Sequence, residues 1–158
     1  MIKQSYIEIL FYDPSLKSYF KTLNYEWLNK YFFVTEEDDK ILSEPEKIID
    51  EGGCIIFAKF QGEICGTCAL IKETEEEYEI AKMAVIEKAQ GQGIGFCLLK
   101  AIIEEAKKRK ARIISLETAN PLKAAISLYK KFGFLQTTEE REHPLFGRKT
   151  FKMELEVR

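Results

Sequence analysis

The sequence predicts an α/β (α+β) domain built on a mixed, mainly antiparallel twisted central sheet flanked by helices. Three observations carry this prediction. A strand, a glycine-rich turn and an amphipathic helix follow one another between residues 79 and 106; two apolar segments at 54–60 and 64–74 read as a hairpin ahead of them; and too little chain follows for a run of parallel βαβ units. With 158 residues and 46% hydrophobic content, the chain is expected to form one domain over 1–158 with a substantial core.

Charge and composition narrow the function classes. A net charge of -2 and a pI near 5.7 argue against a general nucleic-acid partner, because counterion release needs a concentrated basic surface. The one basic run, 107–110 with Arg112, closes a helix, where it complements the dipole and stays solvated. No stretch approaches the length needed to span a membrane, and the N-terminal residues MIKQSYIEILFYD lack the long apolar run of a signal peptide. The expectation is a cytoplasmic protein with no membrane partner. His143 is the single histidine, which rules out a histidine-based metal site and leaves it as an exposed loop residue.

In chain order, residues 6–11 read as a first strand, and Asp13-Pro14-Ser15 as a turn that starts a helix. Leu16, Tyr19, Phe20, Leu23 and Trp27 follow at helical spacing as a core stripe. Glu36, Glu37, Asp38 and Asp39 open a short helix, where acids suit the positive end and are expected in solvent. Cys65 and Cys68 lie in the 64–70 strand pattern, so their thiols should point to opposite faces. With Cys54 and Cys97 they read as buried, reduced thiols. After the glycine-rich turn, Ile94, Leu98, Leu99, Ile102, Ile103 and Ala106 form one helical stripe, and 113–116 reads as a buried parallel strand. Asn120 and Pro121 suit an N-cap and first helical position, Ala125, Ile126, Tyr129 and Phe132 an inward stripe, and Gly133 a left-handed stop. Residues 134–157 read as two closing strands around a loop at 142–147.

The turn Gln90-Gly91-Gln92-Gly93-Ile94-Gly95 carries the first functional signal. Glycines at alternate positions leave backbone N-H groups free to converge ahead of a helix's positive end, which makes an anion site, most naturally for phosphate. A nucleotide-triphosphate loop would need Lys then Ser or Thr after its last glycine, and Phe96-Cys97 stand there instead. The dinucleotide fingerprint fits Gly91 and Gly93, with Glu117 at a suitable distance, but puts Phe96 where its third glycine belongs.

A third pattern fits better. Gln90-x-x-Gly93-x-Gly95 between strand and helix, with Tyr129 and Gly133-Phe134 at the end of the last main helix, resembles the GNAT superfamily of N-acetyltransferases over about half the chain. The resemblance implies a splayed strand pair that binds acetyl-coenzyme A. The pantetheine arm would lie along the backbone of Met83, Ala84 and Val85, and the pyrophosphate on Gln90, Gly91, Gln92, Gly93, Ile94, Gly95 and Phe96. It also implies an oxyanion contact from the backbone N-H near Met83, a tyrosine acid at Tyr129, a glutamate base at Glu79, and an acceptor wall from the first two helices that exposes Tyr25, Tyr31, Phe32 or Phe33 to substrate. Asn120 lies farther from Tyr129 than the corresponding Asn of many relatives, so its cofactor contact departs from the pattern, as does the bulk of Phe96.

The residues themselves leave two readings of each catalytic candidate. Alternation puts Glu79 on one strand face with Ala81, Met83 and Val85, and Tyr78, Ile80 and Lys82 on the other. A carboxylate ending an apolar row would have a raised pKa, as a general base needs; the alternative is one more solvated acid of the 73–77 run. Tyr129 is either a core tyrosine or a proton donor to the departing thiolate. The acidic run suggests a cationic amine acceptor, and a homodimer is compatible with everything above. The function that follows is acetyl transfer from acetyl-coenzyme A to a primary amine by direct attack in a ternary complex, without metal. A non-catalytic acyl-coenzyme A sensor regulating a partner protein is the alternative.

Overall fold

Residues 6–157 are described by the structure, a computed structural model, and they alternate strands and helices in the order expected. Strand β1 (Ile7–Phe11) leads through a 3-10 turn into α1 (Lys17–Tyr31), α2 (Glu36–Ser43) and α3 (Pro45–Asp50). Then come β2 (Cys54–Phe60), β3 (Glu63–Lys72), β4 (Glu77–Val85), α4 (Ile94–Lys108), β5 (Ile113–Thr118) and α5 (Lys123–Lys131). Short strands β6 (Leu135–Gln136) and β7 (Arg141–Glu142) precede β8 (Lys149–Glu156).

The strands order as β1-β2-β3-β4-β5-β8-β6, with β7 on β8. The β4–β5 pair is parallel and the other pairs are antiparallel. Pairing of β4 with β5 runs from Glu77↔Ile113 to Ile80↔Leu116 and then stops. Beyond that point the two strands splay, and the β4 edge from Ala81 to Val85 has no strand partner on the β5 side among the described residues.

Two apolar layers clamp the sheet. On one face α4 buries its whole predicted stripe against Ile56, Cys68, Leu70, Ile80 and Ile114, joined by Tyr129 and Phe134. Close approach here depends on Gly66, since a Cβ would stand 3.0 Å from Leu98 Cδ1 and 3.1 Å from Ile94 Cγ2. On the other face α1, α2 and α3 cover Ile55, Phe57 and Ala69 with Phe20, Leu28, Leu42 and Ile48.

Three sequence expectations fail for reasons of backbone geometry. A bulge in β4, where Ala69↔Ala81 gives way to Thr67↔Ala84, inserts one extra residue, and Lys82 takes φ 53°. Glu79 and Ala81 therefore do not share a face with Met83 and Val85, which pack on the α4 side, and Lys82 leaves the Tyr78 and Ile80 face for α2. A second bulge, between Lys59↔Ile64 and Ala58↔Gly66, puts Cys65 in the same apolar cluster as Cys68, so the thiols do not diverge. Both remain free, and Cys97 is only partly buried. Helix α5 starts at Lys123 with Leu122 as its N-cap, not at Asn120-Pro121; Leu122 N-H donates to Ala119 O, closing a turn that holds those two residues outside the helix.

Candidate active site

The splay opens into a cavity of about 830 Å³ between the end of β4, the start of α4, α5, α1 and the 143–148 loop. Its walls bring together Glu79, Met83, Val85, Gln90, Gly91, Gly93, Ile94, Gly95, Phe96 and Tyr129. Ala84, Gln92 and Asn120 lie outside it: Ala84 is buried on the opposite side of the strand from Met83, and the Asn120 amide donates to Glu140 at 2.6 Å. Tyr31 and Phe32 also line the cavity, whereas the Tyr25 hydroxyl donates to Asp39 and Phe33 faces solvent.

The turn ahead of α4 works through its dihedral angles. Gly91 and Gly93 adopt φ 80° and 84°, and a Cβ at either would meet nothing within 4 Å, so glycine is needed there for conformation and not for room. Gly93 caps α4 without a side-chain hydrogen bond, and the first helical N-H groups have no intrahelical acceptor. Gln90 is committed elsewhere: its N-H donates to Glu87 O and its side-chain amide to Val85 O at 3.4 Å. The Phe96 ring, half exposed, finds its room against Phe132 at 5.0 Å between centroids.

Glu79 sits in a low-dielectric wall. Burial, then the neighbouring charges of Glu73 and Glu117, pushes its carboxyl up to about 7. Tyr129 is buried from α5, edge-on to Phe134 at 6.1 Å, and burial pushes its phenol well above the usual range. Its hydroxyl has no hydrogen-bond partner among the described residues, the raised pKa keeps it protonated, and the residue lines the cavity. Thr118, where β5 leaves the splay, buries a hydroxyl that is also unpartnered among the described residues.

A buried ionic cluster that no spacing in the chain foreshadows stands beside Glu79. Asp38 is fully buried, against the expectation of a solvated helix start, because it closes a capping box with Thr35 and accepts from Lys82 Nζ at 2.7 Å and from Arg148. Burial alone would raise its carboxyl, but the bonds from Lys82, the Thr35 N-H and Arg148 hold it down at about 2. Burial lowers the Lys82 ammonium, with Asp38 acting in the opposite direction. Arg148 lies between Phe146 at 5.0 Å and Phe32 at 5.5 Å, and its Nη2 donates to Phe33 O at 3.1 Å. The Thr35-x-x-Asp38 spacing is a legible capping box; nothing in the chain signals that Lys82 or Arg148 would meet it. His143 lines the cavity as well and is only partly exposed, with Nδ1 accepting from Leu145 N-H at 3.1 Å.

A sheet that splays after one parallel pairing, with a glycine turn and helix start at the opening, defines a class of acyltransferase domain. The model of the acetyltransferase (GNAT) family matches residues 10–134, and the chain belongs to that family. An uncharacterized N-acetyltransferase of Methanocaldococcus jannaschii is 33% identical over 135 residues, which covers 82% of this chain and 57% of that protein. The uncharacterized N-acetyltransferase YvbK of Bacillus subtilis is 37% identical over 100 residues, 60% of this chain and 63% of its own length. The chain thus spans about three fifths of these curated relatives. Among solved structures, a GNAT acetyltransferase of Staphylococcus aureus superposes with a TM-score of 0.81 at 21% identity, covering 97% of this chain and 100% of that one. An acetyltransferase of Salmonella typhimurium, solved with its cofactor acetyl-CoA, gives 0.78 at 20% identity over 95% and 93%. Both share the fold.

Proposed function

We propose that this chain moves an acetyl group from acetyl-coenzyme A to a primary amine in a ternary complex. One observation carries the reading: a single cavity holds a carboxyl poised near neutrality, a protonated phenol, an open strand edge and the start of α4. The residues fit the donor. The unpaired β4 edge offers backbone partners to an extended amide-bearing arm, and the N-H groups that begin α4 suit a pyrophosphate. When bound, acetyl-coenzyme A supplies the activated thioester.

The chain's own groups supply the rest. Ionised Glu79 accepts a proton from the incoming ammonium, directly or through water, leaving a nucleophilic amine. The Met83 N-H donates to the carbonyl oxygen as it gains charge, and the Tyr129 hydroxyl gives its proton to the departing sulfur. Proximity of the reactants accounts for much of the rate. The acidic run that suggested a cationic acceptor contributes only Glu73 and Glu79 to the cavity wall, so the field at the acceptor is set as much by Lys82 and Arg148.

The test is a panel of primary amines assayed for coenzyme A thiol release and for acetylated product. Product that depends on both acetyl-coenzyme A and an amine supports the proposal. Tight binding of acetyl-coenzyme A with no product from any amine would overturn it in favour of a non-catalytic sensor.

A further inference from the structure

The wall beside Glu79 carries the carboxylates of Glu73 and Glu117 on one side and two cations on the other. Lys82 and Arg148 both line the cavity, while Asp38, which holds them, does not. The carboxylate stands behind and the two cations stand in front. Their side chains are only 10% and 11% exposed, so water does little to compensate them, and one acid serves two bases. Donors are also left over. Lys82 uses one of its three on Asp38 among the described residues; Arg148 Nε also lacks a partner among them, but it is closed off from the cavity, so Arg148 would meet a ligand through its outer nitrogens. The rings of Phe32 and Phe146, with the bonds to Phe33 O and Asp38, hold the guanidinium in place before any ligand arrives.

We propose that the acceptor is a primary amine bearing a carboxylate, such as an α-amino acid, and that Lys82 and Arg148 bind that carboxylate while Glu79 faces the amine. A carboxylate would bring the Lys82–Arg148–Asp38 cluster to two cations against two anions and would accept from the remaining Lys82 donors and the outer nitrogens of Arg148. Charge-assisted bonds of this kind discriminate strongly, and losing them leaves the protein's own cations unpaired. This inference rests on the amine-acetylation reading and narrows its substrate class.

The experiment compares pairs that differ only in the carboxylate: phenylalanine against phenylalaninamide, and leucine against leucinamide. Expected is a kcat/KM roughly tenfold to a hundredfold higher for each acid, from one or two charge-assisted contacts. Arg148→Gln and Lys82→Met should each shrink that ratio toward one, and Arg148→Lys should keep part of it. In parallel, the coenzyme A complex of the parent protein is titrated with N-acetylphenylalanine and its amide by calorimetry. Tighter binding of the acid there supports the site even if no amine turns over, which would count against the acetylation reading alone. Equal or better use of the amides, with no preference for the acid in the calorimeter, would overturn this inference while leaving acetyl transfer intact. A dipeptide with an acidic second residue outperforming both free acids would assign the carboxylate to a peptide acceptor and overturn the amino-acid form.

Discussion

Lys82 and Asp38, 44 residues apart, meet at 2.7 Å because a single inserted residue turns a strand side chain toward the first helices. The pair ties β4, the centre of the splayed sheet, to α2 at the rim of the cavity. Removing the acid would leave two buried cations without their counter-ion. Asp38→Asn is therefore expected to lower stability by about 3 kcal/mol or more in denaturant titration. The variant's dependence on pH should also differ from the parent's. A carboxyl brought from 3.8 to about 2 in the folded state contributes stability that is present above 3.8 and lost as pH falls through about 2, and the variant should lack that acid-side loss.

Glu79 gives the opposite sign. Its carboxyl, raised from 4.5 to about 7, favours the folded state while protonated, so that contribution is full below 4.5 and is lost as pH rises through about 7. In Glu79→Gln, thermal unfolding midpoints should no longer fall across this window. The same ionisation should appear in kcat/KM as an acidic limb near pH 7 for the parent, absent from the slower variant when one acceptor is used throughout. A limb that persists unchanged in an active variant would remove Glu79 as the base.

Tyr129→Phe should lower kcat by roughly 10² to 10⁴, the usual worth of a positioned proton donor. Acetyl-coenzyme A affinity by calorimetry should stay near the parent's, because the ring packing against Phe134 is kept. Unchanged turnover with an intact circular dichroism spectrum would return Tyr129 to the core.

The glycines of the turn should not be equivalent. Gly93→Asp combines a left-handed backbone position with negative charge at the helix start, and should abolish measurable acetyl-coenzyme A binding. Gly95→Ala, at the second position of α4, whose Cβ would touch Leu128 Cδ2 of α5 at an ordinary 3.5 Å, should fold at least as stably as the parent, since alanine is the better helix former. Comparable losses of stability in both variants would contradict this division.

Periodicity made the architecture legible. The α4 stripe follows from a spacing of about 3.6, the β2–β3 hairpin and the parallel β5 from apolar runs between turns, and the stop after α5 from the left-handed freedom of Gly133. The raised carboxyl of Glu79 was anticipated from an apolar row of which only Ala81 shares its face, and its causes are burial and the charges of Glu73 and Glu117. Alternation cannot register an extra residue, and nothing around Lys82 or Cys65 announces a bulge. Asn120-Pro121 has the chemistry of a helix start, yet the chain uses it for a turn. The ionic cluster was beyond reach because its members come from α2, β4 and the loop before β8. Only the fold makes them neighbours.

Four rungs, from Glu77↔Ile113 to Ile80↔Leu116, join the two halves of the sheet. That short seam is the whole of the backbone pairing between β4 and β5 among the described residues. A donor arm laid on the free edge of β4 would lengthen the seam as a surrogate strand, so occupancy and global stability are coupled quantities here. Each tenfold excess of such a ligand over its Kd adds about 1.4 kcal/mol of resistance to unfolding. The melting temperature thus doubles as a binding isotherm for anything that fills the gap.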